Sequence, residues 1–346
     1  MKERIKKFVG LPLILLMFVI ILALGIQSGE LSAAKAALAK MKNGCILGCV
    51  LCMAGYIVVD AMGIHSALKR QGFYLPFKDT LMVSLRGQYY YYITPSASGG
   101  QPMQIYYLRE LGVPAGVGTS VLVCHFAAFQ SMLAVLMTIF FIPYYRFIRE
   151  NIDPHLPLLV IGYIVNLGMV FVVLLLSFSR RPVRFLIGLS TRLAARFHLT
   201  RKPDALRERL QHTADLFHDS MDRMRQHPME IVRQLFLGAV QQLLLMSVLY
   251  IIYRGLGLSK ETPGHLIAMG LTQYITAAYV PIPGASGAQE GVFSLFFRQI
   301  FPGGNCFAAM LLWRFTTFYL PLVASAVSIF YYRIRKGYKP VIRKRK

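Results

Sequence analysis

Six apolar runs, each long enough for a helix to cross a lipid bilayer, are spread along this chain of 346 residues. A membrane-spanning helix needs about 20 apolar residues. Charged residues make up 15% of the chain, whereas soluble domains contain about 25%. The runs are Phe8–Ile26, Gly44–Ile64, Val117–Ile142, Leu156–Phe178, Val232–Ile252 and Cys306–Phe330. The sequence therefore predicts one membrane domain over residues 1–346, an all-α integral membrane protein of about six transmembrane helices, and it excludes a disordered chain.

The net charge of +23 is concentrated in three blocks that flank apolar runs. The blocks are Met1–Lys7, Arg180–Arg233 and Arg333–Lys346. Lys and Arg collect on the cytoplasmic side of membranes, where they face anionic headgroups. We therefore expect a multi-pass protein of the plasma membrane with both termini in the cytoplasm. No nucleic-acid-binding motif accompanies the basic blocks, so we expect no nucleic-acid partner.

Residues 179–229, the only sizeable part that we expect outside the membrane, alternate apolar and basic residues with helical spacing. This pattern is typical of amphipathic helices at a membrane surface, and it predicts a helical hairpin on the inner leaflet. We expect His212 and His218 to be solvated on the surface of this hairpin. On the opposite side of the membrane we expect a loop that contains Arg146 and Arg149, against the general charge bias.

Five cysteines lie in apolar stretches, and an odd number argues against a disulfide framework. Cys45, Cys49 and Cys52 share one face of a predicted helix, but no His or carboxylate lies nearby to complete a metal-ligand set. Close packing of small residues between helices explains them better than a soft metal. The chain also has no Ser-His-Asp order and no phosphatase-like His/Arg set. We therefore expect no catalytic residues, no metal, no cofactor and no enzyme activity of the chain by itself.

Two stretches, residues 81–108 and 264–300, are too interrupted by Gly and Pro to form single helices. They match each other at one constant offset, at which Pro95–Gln101 lies on Pro283–Gln289 with five identities in seven positions. The same offset places complete apolar runs on one another without gaps. We infer that one structural unit is used twice.

The expected topology makes the two units, residues 44–142 and 232–330, inverted copies, because one break opens from the cytoplasm and the other from outside. Inverted repeats with broken helices form the midplane site of many transporters, since hydrocarbon tolerates broken backbone only where it is buried or lines a wet cavity. Half-helices beginning after Gly100 and Gly287 would aim their free N–H groups at one central volume, which suits an anionic phosphate. The alternative is that Pro and Gly only kink packing helices.

The segment Pro281–Glu290 resembles the Pro-x-Pro-Gly-x-x-Gly-x-x-Glu signature of the lysylphosphatidylglycerol synthase transmembrane (flippase-like) family, and Thr94–Pro102 resembles its first Pro-x-x-x-Gly-Gly element. The resemblance implies a protein that moves lysylphosphatidylglycerol or a related anionic phospholipid between leaflets, with a link to membrane charge and resistance to cationic antimicrobials. Full-length members carry a soluble catalytic domain, which we expect to be missing because the chain ends at Lys346. Gln101 and Gln104 stand where many relatives have an acidic residue and an arginine.

Other functions stay open beside the flippase. The chain could be the membrane subunit of a phosphatidylglycerol lysyltransferase, which takes lysine from lysyl-tRNA, with a separate aminoacyltransferase subunit docked on the basic hairpin. It could instead carry a polyprenyl-linked lipid or a glycolipid, or be a scaffold that transports nothing. A homodimer also stays open.

The candidate substrate-binding residues lie in and beside the two motifs. They are Arg86, Pro95, Ser98, Gly99, Gly100, Gln101, Gln104, Pro283, Gly284, Ser286, Gly287, Gln289, Glu290 and Arg314. Charged residues at membrane depth are costly and are therefore functional candidates. Glu290 suits a substrate ammonium, a proton or the cap of its own helix. Arg314 is a candidate partner for a phosphate or for Glu290, and the alternative is that its side chain extends to the membrane interface. Arg86 is a candidate contact for a headgroup at the inner surface, and the alternative is that it only anchors the chain there.

Two further polar residues lie within apolar runs. Asp60 is near the expected inner end of its run, where an interfacial position is favoured over a functional role. His125 is more typical of a hydrogen-bonded core histidine than of a proton relay.

Overall fold

A computed structural model of the chain describes residues 29–39, 41–42, 44–197, 203–302 and 304–334, together with isolated positions between 12 and 27. Within these ranges the chain forms thirteen α-helices and no β-strand. They are α1 (Glu30–Ala39), α2 (Cys45–Arg70), α3 (Phe77–Ile93), α4 (Gly100–Glu110), α5 (Ala115–Ile152), α6 (Leu156–Phe178), α7 (Arg180–Arg196), α8 (Pro203–Arg225), α9 (Pro228–Gly255), α10 (Pro263–Ala277), α11 (Ala288–Phe297), α12 (Asn305–Arg314) and α13 (Leu320–Ile334). The predicted span Phe8–Ile26 and the terminal basic segments lie outside the continuously described ranges.

Five stretches of the described chain are long and apolar enough to cross a membrane. Four are the single helices α2, α5, α6 and α9, and the fifth combines α12 and α13 over Asn305–Tyr332. Four of them contain a predicted apolar run completely, and α2 begins one residue after the start of the run Gly44–Ile64. The all-α membrane fold expected from the sequence is therefore confirmed, whereas the inverted relation of the two units stays a prediction.

Helix α5 extends well beyond the predicted end of its run at Ile142 and passes through Pro143. The expected loop with Arg146 and Arg149 is therefore wrong, because both residues are helical. A proline removes one backbone donor from a helix, but packing holds the following turns together. Phe147 stacks on His265 of α10 with ring centroids 4.0 Å apart, and Ile148 and Ile152 are fully buried.

The last apolar run is not one regular helix. After Arg314 the chain makes a π-helical turn, Phe315–Tyr319, before α13 continues in the same direction. The hydroxyl of Thr317 donates to the carbonyl of Trp313 at 2.7 Å, and this side-chain bond helps to satisfy the backbone where the regular hydrogen bonding changes. Such π-turns are frequent at functional sites, and this one begins directly after a candidate site residue.

The basic hairpin consists of α7 and α8, joined by residues that the structure does not describe. Helix α8 packs on α5, where Gly116 leaves so little room that an added Cβ would lie 2.5 Å from the carbonyl oxygen of Thr213. His218 in α8 is only 4% exposed, so the prediction of a solvated histidine is wrong at this position. Helix α7 instead presents an exposed apolar face that includes Phe185 and Leu189.

The predicted small-residue face of α2 packs against α9. Cys45 and Cys49 are buried, and the Sγ atom of Cys45 donates weakly to the carbonyl of Ile251 at 3.5 Å. The space beside Cys45 is available because residue 255 is glycine, whose added Cβ would lie 2.3 Å from that sulfur. Helix packing therefore accounts for the position of these two cysteines.

Candidate functional site

The two Gly/Pro-rich breaks meet each other in the bundle. The first lies between the end of α3 at Ile93 and the start of α4 at Gly100, and the second lies between α10 and α11, from Ala278 to Gly287. Pro95 and Pro283 face each other as an isolated antiparallel β-bridge. Motifs that are distant along the chain thus form one structural feature.

Two successive residues in each break have left-handed backbone conformations, at positions that the repeat offset places on one another. Ser96 and Gly284 have φ values of 51° and 60°, and Ala97 and Ala285 have values of 55° and 47°. A left-handed conformation is costly for residues other than glycine, and such residues concentrate at functional sites. The two breaks therefore share a specific turn geometry and not only a similar composition.

The two breaks differ in how deeply they are buried. Pro95 and Ser98 of the first break are exposed, whereas Pro283 and Ser286 of the second are buried. In this conformation the first break is the more exposed of the two, although Pro281 of the second break is exposed as well.

Arg314 and Glu290 form a buried ion pair next to the second break. The Nε atom of Arg314 donates to Oε1 of Glu290 at 2.6 Å, and each residue is 5% exposed. The other carboxylate oxygen of Glu290 accepts the backbone N–H of Gly287 at 2.6 Å. Glu290 therefore neutralises Arg314 and caps α11 at the same time. Arg314 therefore lies in the interior of the bundle.

Arg314 also holds the second break by its other donors. Its Nη2 atom donates to the carbonyl of Gly284 at 3.2 Å and lies 3.5 Å from Oγ of Ser286. The guanidinium lies over the ring of Phe318, 4.7 Å from the centroid. Residue 284 must be glycine, because an added Cβ would lie 2.2 Å from the Phe318 ring and its φ is positive.

The first break is stabilised by neutral groups. The backbone N–H of Gly99 donates to Oγ1 of Thr94 at 2.9 Å, and Gly100 lies against the ring of Tyr91, where an added Cβ would clash at 2.4 Å. Buried Gln104 accepts a hydrogen bond of 3.3 Å from the hydroxyl of Tyr91. Gln101 is half-buried at the start of α4.

The remaining candidates take separate positions. Gln289 is buried and accepts a hydrogen bond from Gln273 of α10. Arg86 lies between the rings of Tyr107 and Tyr332, 5.1 Å and 4.0 Å from their centroids. Its described contacts thus belong to a cluster different from that of Arg314 and Glu290.

A second acid–base pair was not anticipated from the sequence. Asp60 is 8% exposed and contacts His125, which is 7% exposed; the expected position of Asp60 near the membrane interface stays a prediction. The sequence carried a signal for each residue, since both are polar positions in apolar runs. It carried none for their contact, which depends on how α2 packs against α5.

An all-α bundle in which two broken helices meet around a buried ion pair defines a class, the multi-pass membrane proteins with discontinuous helices. Residues 8–325 match the family described as the lysylphosphatidylglycerol synthase TM region, and the chain therefore belongs to that family. The family expected from the two motifs is confirmed. A comparison with curated proteins found no match.

Proposed function

We propose that this chain is a flippase-like transporter that moves an anionic phospholipid, such as lysylphosphatidylglycerol, between the leaflets of the plasma membrane. Both termini would lie in the cytoplasm. The observation that carries the proposal is the Arg314–Glu290 pair at the place where the two breaks meet. A headgroup crossing the bilayer needs a polar path with charge partners, and broken backbone at membrane depth is tolerated where it is buried in protein or lines such a wet path.

Arg314 suits the phosphate of the lipid. A guanidinium presents several N–H groups in one plane and binds phosphate oxygens through paired, charge-assisted hydrogen bonds. In this conformation the carboxylate of Glu290 uses both the guanidinium and the N–H of Gly287 at the start of α11. These are the groups that a phosphate would use, so we infer that lipid phosphate displaces Glu290 from Arg314.

The displaced carboxylate explains a preference for aminoacylated lipids. Once the phosphate binds Arg314, Glu290 loses its cation and becomes a buried, unpaired carboxylate, which is unfavourable. The ammonium groups of a lysyl headgroup can restore that pairing, whereas the uncharged glycerol of phosphatidylglycerol cannot. When the lipid binds, Arg314 thus exchanges Glu290 for the phosphate, and Glu290 exchanges Arg314 for the ammonium of the same lipid.

The family description favours a second candidate, in which the chain is the membrane part of a synthase. In this case a separate aminoacyltransferase would make the lipid and deliver it to the first break. The α7–α8 hairpin offers a basic surface for such a subunit, because Arg181, Arg184 and Arg192 are in α7.

A reconstitution assay tests the proposal. The purified chain is placed in liposomes with headgroup-labelled lysylphosphatidylglycerol, phosphatidylglycerol, a zwitterionic phospholipid or a polyprenyl-linked glycolipid, and label in the outer leaflet is quenched. We expect the aminoacylated lipid to move fastest. Equal movement of all lipids, or none, would contradict selective transport. Transfer of label from lysyl-tRNA by the chain alone would instead indicate an enzyme.

A further inference from the structure

A buried acid–base pair lies between α2, α5 and α9, separate from the Arg314–Glu290 pair. The Nε2 atom of His125 is 3.0 Å from Oδ1 of Asp60. Asp60 also accepts hydrogen bonds from the hydroxyl of Ser84 and from the amide of Gln241. The carboxylate therefore has three polar neighbours from three different helices.

The hydrogen-bond network determines which nitrogen of His125 carries a fixed proton. The amide nitrogen of Gln234 donates to the carbonyl of Gly63 and to Oε1 of Glu230, each at 2.9 Å. The amide oxygen of Gln234 therefore faces Nδ1 of His125, at 3.0 Å, and only accepts. Nδ1 must donate to it, so Nε2 is the nitrogen that shares a proton with Asp60.

The pair is built to hold one exchangeable proton. With Nδ1 already protonated, a proton on Nε2 makes an imidazolium–aspartate pair with zero net charge, and Ser84 and Gln241 favour the ionised Asp60. If that proton leaves for water, the Nε2 lone pair faces the carboxylate and the pair carries a buried net charge of −1. The two states thus differ by one proton and one charge inside the membrane.

The second unit has no histidine at the position that corresponds to His125. At the offset that places Pro95 on Pro283, His125 corresponds to Trp313, and the cation of the second unit is the neighbouring Arg314. Arginine stays protonated in proteins, whereas histidine exchanges its proton near neutral pH. The Arg314–Glu290 pair beside the second break is therefore a permanent ion pair, and the Asp60–His125 pair is a titratable one.

Contacts connect the titratable pair to a cavity on one side and to the lipid site on the other. Gln234, which accepts from Nδ1 of His125, lines a mainly apolar cavity of about 100 Å³ between α5, α6, α8 and α9. On the other side, Ser84 belongs to α3, the helix that leads into the first break. From the same helix the hydroxyl of Tyr92 donates to the carbonyl of Thr317 at 3.3 Å, in the π-turn after Arg314.

The other ionisable groups around the pair come from four helices. They are Tyr56 of α2, Tyr91 and Tyr92 of α3, Glu230 of α9 and Tyr274 of α10, with Arg314 beyond Tyr92. Tyrosine ionises only near pH 10 and arginine above pH 12. Of these side-chain types, imidazole is the one whose ordinary pKa lies near neutral pH, so His125 is the group that exchanges a proton there.

We propose that the Asp60–His125 pair is a proton-binding site and that its proton exchange drives lipid movement, an inference that rests on the proposed function. Release of the Nε2 proton to water leaves a buried negative charge between α2, α3 and α5. That charge favours the conformation in which this face is hydrated, and α3 transmits the change to the first break and to Arg314. Rebinding a proton from the other side of the membrane reverses the change.

The test uses the full chain in proteoliposomes with headgroup-labelled lysylphosphatidylglycerol and an imposed pH difference. For exchange of one proton per lipid, a difference of one pH unit should enrich the label about tenfold in one leaflet. His125→Gln should abolish the enrichment but leave passive equilibration of the label. His65→Gln, which replaces another histidine of the bundle that contacts Phe77, is the matched control and should behave as the wild type.

The outcomes separate the two proposals. If the wild-type chain moves the lipid without enrichment, and at the same rate at pH 6 and pH 8, the proton site is wrong and the proposed function stands. If no labelled lipid moves under any condition, the proposed function fails and the coupling fails with it.

If His125→Gln does not fold, ¹⁵N-histidine resonances of the wild type test the proton site instead. An imidazolium that persists at pH 7 and loses one proton at higher pH supports the proposal, and a histidine that stays neutral from pH 5 to pH 9 overturns it.

Discussion

Pro95 and Pro283 face each other in an antiparallel bridge, although they lie in opposite halves of the chain. Neither proline has a backbone N–H, so the pair must be of the type in which facing residues do not bond to each other directly. In that geometry the facing Cα atoms are about 4.5 Å apart. The backbones of the two breaks are therefore in contact, close enough for a covalent crosslink.

The first prediction is that cysteines at these two positions form a disulfide. A disulfide needs Cα atoms about 4.4–6.8 Å apart, so Pro95→Cys with Pro283→Cys should oxidise readily after the five native cysteines are replaced by alanine. A protease site introduced at residues 198–202 allows detection, because the two halves of the chain stay linked after cleavage only if the disulfide has formed. Each single cysteine variant is the control. Separation of the halves after complete oxidation would refute the contact.

The second prediction concerns the carboxylate that competes with lipid phosphate. Glu290→Gln keeps an oxygen that can cap Gly287 but removes the charge that holds Arg314. A hydrogen bond to a charged group contributes about 1.5–3 kcal/mol, so phosphate should bind Arg314 roughly tenfold more tightly or better. Lipid movement should fall at least as much, because release becomes slow. Binding of a soluble glycerophosphoglycerol headgroup, together with the movement assay, measures both effects.

Glu261→Gln is the matched control for Glu290→Gln. Glu261 is also a carboxylate paired with a basic side chain, with its Oε2 atom 2.7 Å from Nδ1 of His265, but it lies at the start of α10, away from both breaks. The Glu261→Gln variant should bind the headgroup and move the lipid as the wild type does. Weaker binding in Glu290→Gln would show that the carboxylate supports the phosphate and does not compete with it.

The location of the site could be predicted from the sequence because its signals are local. Proline and glycine interrupt helices wherever they occur, and a doubled motif at one offset marks two equivalent interruptions. The Arg314–Glu290 contact is one of three alternatives that the sequence leaves for Arg314, beside a lipid phosphate and the membrane interface.

What could not be predicted depends on contacts between distant helices. The Asp60–His125 pair joins residues 65 positions apart, and no periodicity within α2 or α5 indicates which faces meet. The continuation of α5 past Pro143 depends on Phe147 and its stacking on His265. The π-turn Phe315–Tyr319 contains neither Gly nor Pro, and Pro321 two residues further on indicates an irregularity without giving its type.

The third prediction tests the attachment of the hairpin. Gly116→Ala places a Cβ 2.5 Å from a backbone oxygen of α8 and 2.6 Å from the Cβ of Leu216, so α8 must shift away from α5. Overpacking of this kind costs about 1–3 kcal/mol, and the thermal unfolding temperature should fall by several degrees. Gly188→Ala in α7 is the control, because nothing lies within 4 Å of the added atom. Equal unfolding temperatures for the two variants would contradict the packing.

The fourth prediction concerns orientation. Arg192 is exposed in α7, and Lys260 is 91% exposed between α9 and α10, at the opposite end of α9 from the hairpin. In a chain without native cysteines, Arg192→Cys should react with a membrane-impermeant thiol reagent only from the cytoplasmic side, and Lys260→Cys only from outside. Reaction of both from the same side would exclude the proposed topology.

The most direct test of the account measures lipid movement through the chain with Pro95→Cys and Pro283→Cys, first oxidised and then reduced. If the headgroup crosses the bilayer between the two breaks, the disulfide should stop movement of labelled lysylphosphatidylglycerol, and a reductant should restore it in the same liposomes. The single variants should be insensitive to oxidation. Undiminished movement with the two breaks covalently joined would contradict the central claim that the lipid headgroup passes between them.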